Sequence, residues 1–363
     1  VSVFMTLDER ARVREHRFER TVVRSRHRLS YEQAQAALDG TVPIGEPTDD
    51  ALRALARLGR VLAERRSTRG ALDFDLPEAR VVLGDDGAPV RIERVERLET
   101  HRLIESFMLL ANEVVAHECA RRRLPILYRV HDPPPPDQMR ELRQFLASYG
   151  LKVKGRGSIP PGELQRVLEA VRGTPKEALV TKVVLRSMAR ARYDARNLGH
   201  YGLAAEWYCH FTSPIRRYPD LWTHRVVVRS LIEGEPPLDR WEADERRMVA
   251  AHCSRRERAA DDAERESVAM KKVEYMERHL GETLSGVISD VRSFGFFVLL
   301  DDAFVEGLVH VNQLHDDYYV YQDRNHTLVG ERTRRRFRLG DRVRVTVARV
   351  DRQERRIDFV LAD

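Results

Sequence analysis

Cysteine is scarce in this chain, with three in 363 residues, Cys119, Cys209 and Cys253. They cannot all pair and show no metal-ligand spacing, so a reducing cytoplasmic setting is the simple expectation. Long apolar runs are missing. No stretch approaches the roughly 20 residues that a membrane helix needs. Val1 to Arg17 carries charge instead of an apolar leader core, so no signal peptide is expected. A strong net charge is missing too. Lys plus Arg number 63 against 57 Asp plus Glu, a formal balance of +6. So mild an excess must be concentrated locally if the chain grips a polyanion. Most of it is arginine, which suits phosphate forks and base stacking better than lysine does. Charged residues at 33% and hydrophobic ones at 42% describe a soluble globular chain with room for two domains. Nothing suggests a coiled coil, and a monomer is expected. The chain opens at Val1 within an alternating run, which reads as a fragment of a longer protein.

What stands out is Tyr208-Cys209-His210-Phe211-Thr212-Ser213-Pro214-Ile215-Arg216-Arg217-Tyr218-Pro219-Asp220, followed by His224 and Arg225. A hydroxyl residue ahead of proline signals a helix start, and Pro214 and Pro219 both fit the first helical position. Either choice sets Arg216 and Arg217 within a turn of a helix N-terminus. Free N–H groups, the helix dipole and two guanidinium forks would then make a phosphate site. Tyr208, Phe211 and Tyr218 offer flat faces for a base. The bland alternative is a loop-to-helix corner with solvated arginines and core aromatics.

In chain order, 1–7 and 13–23 alternate as a β-hairpin. Ser30-Tyr31-Glu32-Gln33 opens a short helix and Thr48-Asp49-Asp50 caps a longer one. Residues 74–83 and 90–98 read as strands around Asp85-Asp86-Gly87. Residues 99–122 form a helix apolar on most sides, with Glu105 in its middle. A buried carboxylate needs a cation or a polar channel, and the pattern leaves both open. Residues 128–136 read as a proline-rich turn. Helices are expected to about 148, then over 160–171, 175–190, 221–232 and 241–279, the last carrying Glu264. From 281 on, five short strands in about 80 residues suggest an OB-type barrel. The expected class is α+β, with domains at 1–278 and 279–363. The basic run Arg332, Arg334, Arg335, Arg336 and Arg338 either tracks a phosphate backbone or is a solvated loop.

The 210–220 stretch with His224-Arg225 resembles the signature of the ribonuclease II and ribonuclease R catalytic domain, the RNB exoribonucleases. The resemblance covers nearly the whole chain. Gly286 to Val298 with Glu306 to Val311 resembles an S-one type RNA-binding domain. It implies a processive, Mg²⁺-dependent 3′-to-5′ exoribonuclease that releases 5′-nucleoside monophosphates from single-stranded RNA. Residue by residue, it implies that Arg216 contacts the phosphate near the scissile bond and that Tyr31 is an active-site tyrosine. Phe74 would stack on the terminal bases, and Glu105 and Glu264 would hold the terminal sugars. Arg217 and Tyr208 would add to the RNA path, and Phe294, Phe297 and His310 would stack bases on the barrel. For whichever of Phe296 and Phe297 points inward, core filling is the expectation.

The family's metal-binding aspartate cluster is not found in this sequence. It implies Mg²⁺ held by aspartates upstream of Val1, no metal residues within 1–363, and a chain inactive by itself. Two alternatives compete: a catalytically silent RNA-binding module, and a general DNA-binding protein.

Overall fold

The computed structural model describes residues 1–74, 78–155, 157–174, 176–237, 243–322 and 326–362. The hairpin is present as β1 (Ser2–Leu7) and β2 (Val13–Glu19). From Arg20 to Ser30 the chain runs without helix or strand, then enters α1 (Tyr31–Leu38). The capping box starts that helix: Gln33 N–H donates to Ser30 Oγ, and Ser30 N–H donates to the Gln33 side chain.

Helix α2 (Thr48–Arg69) ends at Gly70, whose φ of 95° is left-handed. A Cβ there would lie 2.6 Å from Gly162 Cα, so this close approach and backbone twist both require glycine. Strands β3 (Glu78–Leu83) and β4 (Pro89–Val95) form the second hairpin, shorter than the expected 74–83 and 90–98. Residues 75–77 of that expectation lie outside the described residues.

Helix α3 (Glu99–Arg121) is central, and its second half is the more deeply sealed. Val114, Val115, Ala116 and Cys119 enter the core, while Ile104 is exposed. The expected proline-rich turn instead begins with a strand, β5 (Tyr128–Val130), which pairs with β6 (Arg192–Asp194). Helices α4 (Pro136–Ser148), α5 (Pro161–Val171) and α6 (Glu177–Ser187) share one apolar cluster. Pro175, the expected start of α6, lies outside the described residues.

The arginine corner leads into α7 (Tyr218–Val227), with Pro219 in its first turn, and a π turn over Val228–Ile232 follows. Helix α8 (Ala243–Glu277) is 35 residues long. Trp241, its expected start, lies outside the described residues. One end meets the first domain through Ala250, Ser254 and the Arg129–Glu257 ion pair. The other end sinks Val273 and Met276 into the barrel core. Between them, residues 258–267 are all exposed, as in helices that bridge two bodies through water.

Strands β7 (Thr283–Arg292), β8 (Gly295–Leu300) and β9 (Glu306–His310) join two later strands in a closed barrel. Between β9 and those strands lies a three-stranded sheet absent from the sequence reading: β10 (Tyr319–Gln322), β11 (Thr327–Gly330) and β12 (Arg336–Arg338). The barrel closes through β13 (Arg342–Asp351) and β14 (Arg356–Leu361), in the order β13-β14-β9-β8-β7. The fold is thus α+β with a five-stranded barrel behind a mixed domain.

Candidate nucleic-acid interface

Strand pairing places the corner. Arg129 N–H donates to Tyr208 O, so residues 208–210 run beside β5. Asn112 of α3, buried, then locks the segment. Its Nδ2 donates to Tyr208 Oη at 3.1 Å, and its Oδ1 accepts from Phe211 N–H at 3.0 Å. Ser213 to Arg216 make a turn, with Arg217 N–H donating to Ser213 O. Helix α7 therefore starts at the second proline of the motif, not the first.

The two arginines separate at this point. Arg217 donates from Nε and Nη2 to Asp220, at 2.9 and 2.7 Å. Asp220 is 0% exposed and also accepts from Ser213 N–H at 2.8 Å. Arg217 is thus bound to an internal carboxylate and holds the turn's shape; it is no second free fork. Arg216 is exposed and its side chain makes no ion pair or hydrogen bond among the described residues. Beside it Ile215 is 98% exposed, and Tyr218 is open to solvent.

Tyr208 corrects the sequence expectation. It is buried with its hydroxyl on Asn112, so its face is unavailable to a base. Phe211 is buried as well and stacks on His224 at 4.1 Å. A row of rings runs behind the corner: Tyr201, His131, His200, Tyr208, His210 and Tyr193, with neighbouring centroids 5.1 to 6.1 Å apart. Burial holds His200 down to about 3 and, with Arg217 and Arg129 nearby, His210 down to about 2.

A second group lies at the other end of α3. Tyr31 stacks on His101 at 4.0 Å, and its carbonyl accepts from Thr100 Oγ1 at 3.0 Å. Glu105 is not buried as expected; its side chain is 43% exposed and pairs with Arg97, which also reaches Asp73. A cleft of about 260 Å³ opens there, lined by Arg66, Asp73, Arg97, Arg102, Glu105 and Gln165 among others. Phe74 follows Asp73 and packs half-buried against the α4–α6 cluster. Glu105 and Asn112 are seven residues apart on α3, so the cleft and the corner lie about 10 Å apart along one helix stripe. Glu264 is exposed on α8, and among the described residues no ion pair or hydrogen bond ties it to either group.

On the barrel, Phe296 fills the core while Phe297 points outward. Phe294 stands at the β7–β8 turn, with ring centroids 6.2 Å from Phe297 and 6.5 Å from His310. The three make one outward aromatic patch. The basic run is largely neutralised: Arg332, Arg335 and Arg338 pair with Asp317, Asp316 and Asp341.

The sequence reading missed Asn112, Asp220, Arg97 and His101. Asp220 lay inside the motif, three residues after Arg217, the spacing at which helix side chains meet. Asn112 carried no such signal.

The RNB domain family matches residues 1–233 and the S1 RNA binding domain matches residues 278–361. The chain belongs to the RNB domain family. Among its relatives, Ribonuclease R of Aquifex aeolicus is 41% identical, aligned over 100% of this chain and 52% of its own length. The chain spans about half the length of the curated relatives it matches. The fold is shared with Mycoplasma genitalium RNase R in complex with ribose methylated single-stranded RNA, at TM-score 0.90 and 24% identity, over 99% of this chain and 57% of that one. It is also shared with yeast Ssd1, a pseudonuclease, at TM-score 0.71 and 20% identity, over 90% of this chain and 40% of that one. No helix among the described residues is long and apolar enough to cross a membrane.

Proposed function

We infer that the chain supplies the RNA-gripping part of a hydrolytic 3′-to-5′ exoribonuclease that acts on single-stranded RNA and releases 5′-nucleoside monophosphates. The observation that carries this is Arg216, an uncompensated guanidinium on a corner braced by Asp220 and Asn112. In this reading Arg216 takes the phosphate near the scissile bond. Arg217 braces it from behind. Tyr31 and Phe74 flank the terminal bases, and Glu105, once released from Arg97, accepts from ribose hydroxyls; such contacts separate RNA from DNA. Glu264 takes a terminal sugar. Phe294, Phe297 and His310 stack bases further out. Residues 1–278 and 279–363 are the two working domains. The protein acts as a cytoplasmic monomer.

Mg²⁺ would activate the water and stabilise the leaving oxygen. Among the described residues no three His, Cys, Asp or Glu side chains gather to hold a metal. The residues here do not fit that ion, and no step is routed through it.

The test uses the gene product containing this chain, Mg²⁺ and a uniformly labelled RNA with a single-stranded 3′ tail. Mononucleotide release is expected, and internal cuts would remove the reading. Arg216→Ala should lower turnover more than RNA affinity; lost affinity at an unchanged rate would contradict its assignment. A second reading, RNA binding without turnover, is supported by the fold shared with a pseudonuclease. It predicts salt-sensitive binding and no products.

A further inference from the structure

The segment between β2 and α1 carries Arg24, Arg26, His27 and Arg28 within five residues. Residues 22–28 are exposed without exception, and Val22 reaches 101%. Among the described residues, none of these four cationic or titratable side chains has an ion pair or hydrogen bond. On α8, Arg255, Arg256 and Arg258 are likewise exposed and without a side-chain partner among the described residues, but they lie on a regular helix and not on an extended segment. The run 332–338 has three of its five arginines paired with aspartates. A block of like charges repels itself, and a polyanion laid along it offsets that cost.

Its ends place it. Arg20, just before the strap, pairs with Glu233 at the end of the π turn that follows α7. Thr21 Oγ1 bonds Ser2 Oγ at 2.6 Å. At the far end, Ser30 caps α1 and Tyr31 stacks on His101. The strap therefore runs from the α7 side of the molecule to the Tyr31 group. Two exposed valines add no anion preference, and the three guanidiniums suit phosphate oxygens.

We propose that Arg24, Arg26 and Arg28 bind consecutive backbone phosphates of single-stranded RNA as it passes towards Tyr31. The proposal rests on the RNA-binding reading above. The contacts carry no base information, so they act alike on every sequence.

The test measures binding of labelled oligo-U and oligo-C to the full chain by fluorescence anisotropy across a salt series. Each phosphate contact on a single strand contributes about 0.7 to the slope of log K against log salt. The triple variant R24A/R26A/R28A should therefore lose about 2 from the slope and bind both oligomers roughly tenfold or more weakly. Triple lysine replacement should restore most of the slope. The variant R332A/R335A/R338A, with the same charge change taken from paired arginines, should lose clearly less. Circular dichroism checks that each variant is folded. An unchanged slope in the strap variant overturns the proposal. So does an equal loss in both alanine variants, which would report net charge alone. So does strap-dependent binding of a poly-glutamate peptide with RNA binding intact. Failure of the unmodified chain to bind either oligomer removes the RNA reading itself, and the strap assignment falls with it.

Discussion

Arg217 and Asp220 form the most consequential pair in the corner. A carboxylate with no solvent exposure holds two guanidinium hydrogens and a backbone N–H. Removing one partner of a buried pair strands the other charge, at about 3–5 kcal/mol. Asp220→Ala and Arg217→Ala should each lower stability by roughly that amount in urea unfolding. Arg216→Ala, on an exposed and unpaired side chain, should change it by no more than about 0.5 kcal/mol. Equal effects from the two arginine variants would show that the pair does not brace the turn. This division was not legible in the sequence. Adjacent arginines in one motif look alike until the helix start is known, and that start depended on which proline served. Tyr208 misled for a related reason. Its burial comes from Asn112, 96 positions away, and local pattern says nothing of such a partner.

The hairpins, long helices and barrel strands were legible because apolar residues recur at their own period over many positions. Strands β5 and β6, three residues each, are too short to show a period, and β5 was taken for a turn. Strands β10 and β11, four residues each, are too short to show a period, and β12 was hidden by the arginines on either side of its buried Phe337. The elements around β5 and β6 also carry the row of rings, and with it a pH dependence. Burial holds His200 near 3 and His210 near 2, against about 6.5 for a free imidazole. Lowered folded values mean that the unfolded chain takes up the protons first. The contribution to stability is whole above about pH 6.5 and is lost as pH falls towards 3. Two protons give a slope of about 2.7 kcal/mol per pH unit in that window. Urea midpoints should therefore drop between pH 7 and pH 5; a flat profile would mean that the rings are hydrated in solution.

At the scale of the molecule, the barrel is joined to the first domain at several places. One joint is α8, and another is the β3–β4 hairpin, whose Ile92 lies in the barrel core. A polar joint is Asp290 of β7, which accepts from Arg186 of α6 at 2.8 Å and pairs with Arg292 at 3.1 Å and Lys182 at 3.8 Å. Lys182 also donates to Ser289 O at 2.6 Å. Asp290→Ala leaves three cations facing one another across the seam. Thermal unfolding should then split into two transitions, one for each body, where the unmodified chain shows one. A single unshifted transition would show that the remaining joints suffice without Asp290. The barrel was legible from its strands and aromatic spacing. Its seating was not, since Asp290 and Arg186 are 104 positions apart.

Glu257, paired with Arg129, and Val273, sunk in the barrel core, are sixteen positions apart on α8, roughly 24 Å of rigid rod. Each position added to an α-helix advances its end by about 1.5 Å and rotates it by about 100°. One inserted or deleted residue between 258 and 267 would swing the aromatic patch a quarter-turn or more about the rod and tear Asp290 from Arg186. The span is exposed throughout, with Glu266 paired to Arg355 of the barrel, and most of its positions tolerate almost any side chain, yet its tally of residues works like the teeth of a gear, keeping two distant surfaces in phase.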